Sequence, residues 1–275
     1  MSFNIPADYH MHTHNSGDSK APMGDMIRSA IDKGLKEICF TEHMDLDYPD
    51  FPDLPPEKFN LNIPAYREEL LKYKERYKDK ITVKFGIEVG MQPQVNDENL
   101  KVVKENDFDF VIASVHLVDK RDPFYGDFWT HCSVEDTFKR YFEITSENIK
   151  HFTDFDVLGH LDYLARYVPE GDTTYSYERF RDQIDEILLY LARSGKGLDF
   201  NSKVLGYSDS LFPNPCPAAL KRFKEFGGEI ITFGSDAHRP EAIACEFEKM
   251  RQIALECGFT HYYTFEHRVP TAHNL

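Results

Sequence analysis

The sequence predicts an α/β barrel, and three observations carry that prediction. Strand-like apolar runs alternate with amphipathic segments along the chain, no internal repeat or linker interrupts them, and nearly every strand is followed by a residue able to bind a metal. An open doubly wound sheet gathers ligands at one crevice between two strands. Ligands just past the C-terminal ends of almost all strands call for a closed ring.

Taken in order, the first strand is expected at Ile5 to Tyr9, followed by a helix from Met23 to Lys33 that opens after Pro22 and stops at Gly34. Glu37 to Thr41 is the second strand, and Ala65 to Tyr77, opened by Pro64, the second helix. Thr82 to Ile87 and Phe108 to Val115 are strands around a helix at Glu98 to Glu105. A helix at Val134 to Lys150 leads to a strand at Asp156 to Gly159, and one at Tyr177 to Arg193, stopped by Gly195, leads to Gly197 to Phe200. Helices at Cys216 to Phe226 and Pro240 to Cys257 flank a strand at Glu229 to Phe233, and His261 to Phe265 is an eighth run. Two long excursions, Met44 to Ile63 with four prolines and Leu117 to Ser133 with Asp, Pro, Gly and aromatics, follow strands on the ligand-bearing face and are expected as pocket walls. Residues 1–275 read as a single domain.

Composition narrows the function. A chain of 275 residues with 41% apolar content can bury a substantial core. No apolar run reaches membrane-span length, and Met-Ser-Phe-Asn-Ile-Pro lacks the features of a secretory leader, so no membrane partner and a cytoplasmic location are expected. Five scattered cysteines, none in C-x-x-C spacing, argue against a disulfide framework and against thiolate zinc. A formal net charge of −15 disfavours a phosphate-tracking surface, and no nucleic-acid partner is expected. An acidic chain still binds anions where metal ions invert the local charge. The sequence assigns no oligomeric state.

The metal reading begins at His10, His12 and His14 in Asp8-Tyr9-His10-Met11-His12-Thr13-His14. On an extended segment side chains repeat with period two, so imidazoles at i and i+2 share a face. Such a pair alone is more often a polar surface strand, but the arrangement recurs at Thr41-Glu42-His43, Gly86-Ile87-Glu88, Ala113-Ser114-Val115-His116, Leu158-Gly159-His160 and Gly234-Ser235-Asp236-Ala237-His238. Asp18 taken alone is a turn residue, and facing the histidines it is a candidate ligand. Glu88 ends an apolar run where an unpaired carboxylate is costly to bury, a cost that bridging two cations removes. The pleat is expected to put Asp236 and His238 on one face. Imidazole and carboxylate without thiolate suit zinc, manganese or iron. Arg166 and Lys203 follow strands on the same face and are candidates to hold phosphate oxygens, with Asn201 beside Lys203 and His131 in a pocket-wall loop as further substrate-binding candidates. His151, His261, His267 and His273 are expected to be solvated or capping residues.

The strings D-Y-H-M-H-T-H, I-C-F-T-E-H, G-I-E-V-G, F-V-I-A-S-V-H, G-H-L-D-Y-L-A-R-Y and G-S-D-A-H occur in that order over nearly the whole chain. As an ordered set they resemble the PHP (polymerase and histidinol phosphatase) superfamily, and within it the monofunctional histidinol-phosphate phosphatases. The resemblance implies a distorted (β/α)7 barrel with two or three divalent metals at the C-terminal face, which leaves the eighth run without a place. It implies one ion on His10, His12, Glu88 and Asp236, a second on Asp18, His43 and His238, and a third on Glu88, His116 and His160. Some members have histidine where Asp18 stands, and Lys203 stands where an arginine is common.

The expected activity is hydrolysis of a small phosphomonoester, L-histidinol phosphate by resemblance, with a hydroxide attacking phosphorus in line while metals, Arg166 and Lys203 neutralise the equatorial oxygens. The alkoxide leaving group needs a proton, for which Glu42 and Asp45 are the principal candidates, with His14 and Asp162 also nearby. By resemblance, Asp45 or Asp119 suits the ammonium and imidazole of the substrate. Two alternatives share the ligands: a PHP-type phosphoesterase acting on diesters or nucleotides, and a non-catalytic metal-binding protein, whose site is normally closed and four-coordinate.

Overall fold

The structure is a computed structural model that describes residues 5–50, 58–125, 127–206 and 212–275. Seven parallel strands run in chain order: β1 (Ala7–Asp8), β2 (Glu37–Met44), β3 (Thr82–Gly90), β4 (Phe110–Ser114), β5 (Val157–Leu158), β6 (Gly197–Asn201) and β7 (Ile231–Gly234). The ring closes between the first and last strands. Tyr9 N–H donates to Phe233 O at 2.8 Å, Asp236 N–H to His10 O at 2.7 Å and His12 N–H to Ala237 O at 2.9 Å. The result is the distorted (β/α)7 barrel that the family resemblance implies.

Helices α1 (Met23–Asp32), α2 (Ile63–Tyr77), α3 (Asn96–Glu105), α4 (Val134–His151), α5 (Arg181–Ser194), α6 (Pro217–Glu225) and α7 (Phe247–Glu256) connect the strands. Several begin or end on recognisable local chemistry. In α1 the buried Met23, Met26, Ile27 and Ala30 recur at helical spacing, and Gly34 follows with φ 86°. Asn62 caps α2 by accepting from Ala65 N–H at 3.2 Å, Ser133 caps α4 by accepting from Asp136 N–H at 3.1 Å, and Gly195 ends α5 with φ 67°. The barrel interior and the helix-facing side are both apolar, with Ile38, Phe40, Ile87, Val111, Phe200 and Phe233 almost without exposure.

Three expectations are corrected. The helix expected at Pro240 to Cys257 is a short 3-10 turn, Pro240–Ala242, and then α7, because Ala244 (φ 50°) and Glu246 (φ 57°) adopt left-handed conformations between them. The buried Asp8 carboxylate captures the Ala244 N–H at 2.9 Å and supplies that break. Helix α5 starts at Arg181 rather than Tyr177.

The third correction is the eighth run, which is no barrel strand. It forms β8 (His261–Glu266), paired antiparallel with β9 (Val269–Asn274) through a two-residue turn in which His267 (φ 49°) and Arg268 (φ 67°) are both left-handed. The hairpin lies against the N-terminal ends of the strands. Phe265 N–H donates to the Tyr9 hydroxyl at 2.9 Å, Arg268 N–H to Asp109 O at 2.9 Å, and the Arg268 guanidinium meets Asp156 at 2.5 Å and Asp154 at 3.2 Å. No helix among the described residues is long and apolar enough to cross a membrane. The expectation for the N-terminal tetrapeptide, and Pro52, Pro55 and Pro56 of the first pocket wall, lie outside the described residues.

Candidate metal centre

The parallel ring delivers each predicted ligand to one mouth. His10 and His12 stand just past β1, His43 lies near the end of β2, Glu88 in β3, and His116 and His160 two residues past β4 and β5. Glu88 is the hub. Its Oε2 lies 3.1 Å from His10 Nε2, 3.5 Å from His12 Nε2 and 3.1 Å from His43 Nδ1, and its Oε1 lies 3.2 Å from His116 Nε2 and 2.9 Å from His160 Nε2. Ser114 donates to Oε1 at 2.6 Å. One fully buried carboxylate thus divides five imidazoles between its two oxygens.

Asp236 lies beside this hub, 3.5 Å from both His12 Nε2 and His238 Nδ1 and 3.9 Å from His10 Nε2. The expected pleat is replaced here by a turn: Asp236 has φ 51°, a left-handed conformation that Asp tolerates and that swings its carboxylate inward. Asp18 Oδ2 lies 3.0 Å from His238 Nε2 and 3.7 Å from His43 Nε2. Four triads have ligand atoms within 4.8 Å of one another: His10, His12 and Glu88; Glu88, His116 and His160; His12, His43 and His238; and His43, Asp45 and His116. The first two fall inside groups that the family resemblance implies. The others bring His12 and Asp45 against His43, which the resemblance grouped with Asp18 and His238.

Two of the imidazoles and two of the carboxylates are already in ligating form. Burial, with His43 and His238 beside it, pushes His12 well below the usual imidazole range, so the ring is neutral, and its Nε2 is buried without a hydrogen-bond partner. His43 Nδ1 is buried without one as well, and burial beside Arg166 lowers His160 to about 4. Burial opposes charge on Glu88, but His10, His43 and His116 outweigh it and hold the carboxyl well below its usual range. Asp236 is likewise held low, burial being outweighed by Lys203, His10 and Arg166. Burial opposes charge on His10, His43 and His116, but the carboxylates facing them outweigh it and raise them above the usual imidazole range, so a divalent cation would take the place of those protons between imidazole and ionised carboxylate.

Two glycines make room for this packing. A Cβ on Gly234 would stand 2.5 Å from His10 Cβ and 2.4 Å from Asp199 Oδ1, and one on Gly90 would stand 1.9 Å from Asp45 Oδ1.

Several site assignments change. Alternation along β2 turns Glu42 away once His43 faces the hub: its buried carboxylate accepts from Thr13 N–H at 3.0 Å, the Thr13 hydroxyl at 2.6 Å and the Ser16 hydroxyl at 2.5 Å, and holds the loop after β1 instead of a proton for the substrate. Asp45 does line the pocket, but Oδ1 is 2.7 Å from His116 Nδ1, an orienting contact. His131 is exposed just past the short turn Phe128–Thr130 and lines neither pocket nor cleft. Asn201 is fully buried behind Arg166, accepting from its Nη2 at 3.0 Å, so it supports the guanidinium rather than meeting substrate. His14 faces Glu69 at 3.3 Å on the surface, and Asp119 is tied to Arg140 at 2.8 Å. Asp162 is saturated by Tyr175, Asn214 and the Cys216 N–H.

Arg166 and Lys203 do reach the centre, with Arg166 Nη1 2.8 Å and Lys203 Nζ 2.9 Å from the two oxygens of Asp236. Sequence reasoning missed Asp199, whose Oδ2 is 2.8 Å from His10 Nδ1. Its signal was an acid in the middle of an otherwise apolar strand, two residues before Asn201. It also missed Asp8, raised to about 6 by burial against four hydrogen bonds from Ser235, Ala244 and His10 at the barrel seam.

A closed parallel barrel whose C-terminal mouth gathers imidazoles and carboxylates around one shared glutamate is a metal-binding barrel of the hydrolytic kind. The chain belongs to the PHP domain family, whose pattern matches residues 8–203. It is 33% identical over 94% of its length to a histidinol-phosphatase of Lactococcus lactis subsp. lactis, covering 93% of that protein. It is 30% identical over 95% of its length to a probable histidinol-phosphatase of Clostridium acetobutylicum, covering 97% of it. Among solved structures, a Lactococcus lactis histidinol phosphate phosphatase complexed with zinc, L-histidinol and phosphate superimposes with a TM-score of 0.86 at 32% identity, over 96% of this chain and 98% of that one.

Proposed function

We propose that this chain is a metal-dependent phosphoric monoester hydrolase that converts L-histidinol phosphate to L-histidinol and phosphate, a reaction of histidine biosynthesis. The observation that carries the reading is Glu88, which divides five imidazoles between its oxygens beside two cationic side chains gathered on Asp236. The relative of similar sequence that holds zinc, histidinol and phosphate supports the choice of substrate. We assign one ion to His10, His12, Glu88 and Asp236, one to Asp18, His43 and His238, and one to Glu88, His116 and His160, with zinc, manganese or iron suited to these donors. When bound, the ions supply Lewis-acid activation of water and neutralise charge on the phosphoryl group.

The chain's own residues do the rest. Arg166 is held at three points: Nε donates to Asn214 Oδ1 at 2.8 Å, Nη2 to Asn201 and Nη1 to Asp236. The two asparagines orient the guanidinium without neutralising it, and because Arg166 and Lys203 share the single carboxylate of Asp236, the pair keeps net positive charge for phosphoryl oxygens. Lys203 adds a point charge on the same carboxylate, with Nζ 2.9 Å from Asp236 Oδ1. Asp45 holds the Nδ1 proton of His116 and Asp199 that of His10, which turns each Nε2 toward Glu88.

Phosphate release from histidinol phosphate, unrelated monoesters and a diester, alongside elemental analysis of the purified protein, tests the reading. Histidinol phosphate is expected to lead in kcat/KM by about tenfold or more. A metal-loaded protein inert toward every monoester would overturn it.

A further inference from the structure

We propose that Asp122, presented by Tyr48, is the carboxylate that receives the cationic part of the leaving alcohol and thereby selects among monoesters. The inference rests on the phosphomonoesterase reading above.

The metal pocket opens into a cleft of about 770 Å³, and Asp122 borders both. Arg166 and Lys203 also border both, so a phosphoryl group gripped there extends its organic part into the space that Asp122 faces. The other carboxylates of these walls are already engaged. Asp18, Asp45 and Asp236 face imidazoles or basic side chains, Asp162 is saturated by three donors, and Asp172 closes its own turn by accepting from Thr174 N–H at 2.7 Å.

Asp162 and Asp172 also have only neutral partners, but they line the cleft alone, whereas Asp122 borders both the cleft and the metal pocket. Its partners are neutral, the Tyr48 hydroxyl on Oδ2 and the Phe124 N–H on Oδ1 at 2.8 Å, and no Lys, Arg or His nitrogen lies within 4.0 Å of it among the described residues. Those donors come from the two excursions after β2 and β4, so the carboxylate is oriented by both walls with no basic side chain in ion-pair contact, and burial raises it above the usual carboxylate range, a cost that a ligand cation would offset. A half-buried, oriented, unneutralised carboxylate is a receptor for a cation.

The surrounding rings sharpen the assignment. Tyr48, Phe59, Tyr163 and Tyr167 line the same space, which suits a flat organic group. Two of those rings are already beside protein cations, Lys58 Nζ at 5.1 Å from the Phe59 centroid and the Arg166 guanidinium carbon at 5.4 Å from that of Tyr163. A ligand cation is therefore taken by the carboxylate, with the aromatic walls excluding water around it. A monoester whose leaving alcohol bears an ammonium or imidazolium gains this contact, and a neutral ester of similar size does not.

The test compares esters in Asp122→Asn and Tyr48→Phe proteins with matched metal content. The paired substrates are histidinol phosphate against phenyl phosphate, and phosphoethanolamine against ethyl phosphate. In Asp122→Asn the ratio of kcat/KM for cationic over neutral ester is expected to fall about 10- to 100-fold, mainly through KM, with a smaller fall in Tyr48→Phe. An unchanged ratio in a folded, metal-loaded Asp122→Asn protein overturns the inference, whether or not absolute rates change. If the wild-type protein spares histidinol phosphate but prefers phosphoethanolamine to ethyl phosphate, and Asp122→Asn removes that preference, this inference stands and the choice of histidinol phosphate fails.

Discussion

The two ends of the barrel solve opposite problems with similar residues. At the C-terminal mouth, carboxylates and imidazoles crowd together with nitrogens left unpartnered, as at His12 Nε2 and His43 Nδ1. At the N-terminal end the charges are paired to completion: Asp109 accepts from Phe85 N–H at 3.0 Å and His267 N–H at 3.1 Å, and Asp156 from Val111 N–H at 2.8 Å and Arg268. The β8–β9 hairpin brings two of those four partners, His267 and Arg268, and closes that end. The comparison teaches that unfinished pairing marks the functional mouth, while a buried acid whose acceptors are all filled marks a joint.

The sharpest way to break this contrast is at the hub. Glu88→Gln should lose metal and reduce kcat by well over 100-fold, since even residues that only orient ligands cost 10- to 100-fold. Elemental analysis with single-substrate kinetics checks it, and a fully metallated, active Glu88→Gln protein would refute the hub. Asp236→Asn should behave similarly and also leave Arg166 and Lys203 without their shared anion.

Chelation should lower the melting temperature of the wild-type protein, because ions bound only by the folded state stabilise it by about 2.7 kcal/mol when present at 100 times Kd. The same treatment should leave Glu88→Gln nearly unmoved in a thermal melt. At the opposite end, Arg268→Ala should cost about 2–3 kcal/mol in urea unfolding by stranding Asp156, with metal stoichiometry preserved. A loss of metal in that variant would mean the two ends are not separable.

Asp199→Asn stands between the extremes. It should weaken metal binding about 10- to 100-fold in a competition titration while the fold persists, because His10 loses the carboxylate that fixes its tautomer. His131→Ala, on the exposed loop, should change kcat/KM by less than about twofold, within the small effects of surface substitution.

Much of the mouth was legible because a parallel strand ends where its connecting loop begins. An apolar run closing on His43, Glu88, His116 or His160 therefore announces both the strand and the ligand. What stayed hidden depended on neighbours. Glu42 and His43 are adjacent in the chain and both chemically able, and only the orientation of β2 within the ring turns one to the hub and the other to Thr13. Asp122 was not singled out in the sequence, because its link to Tyr48 joins two different loops. The hairpin was half visible: β8 is apolar, but β9 is an exposed edge containing Pro270, with no buried face to impose a pattern.

By itself the sequence announced the β-then-α alternation and a candidate ligand at the end of each run, since apolar periodicity and the residue closing a run are local properties, while the ring of seven came from the family resemblance. Only the tertiary structure decided that the eighth run caps the barrel, that Asp8, Asp199 and Asn201 brace the residues which face the centre, and which carboxylate bordering both pocket and cleft has no basic side chain in ion-pair contact. Those outcomes depend on side chains meeting across the ring, and burial and pairing are set by partners distant in the chain.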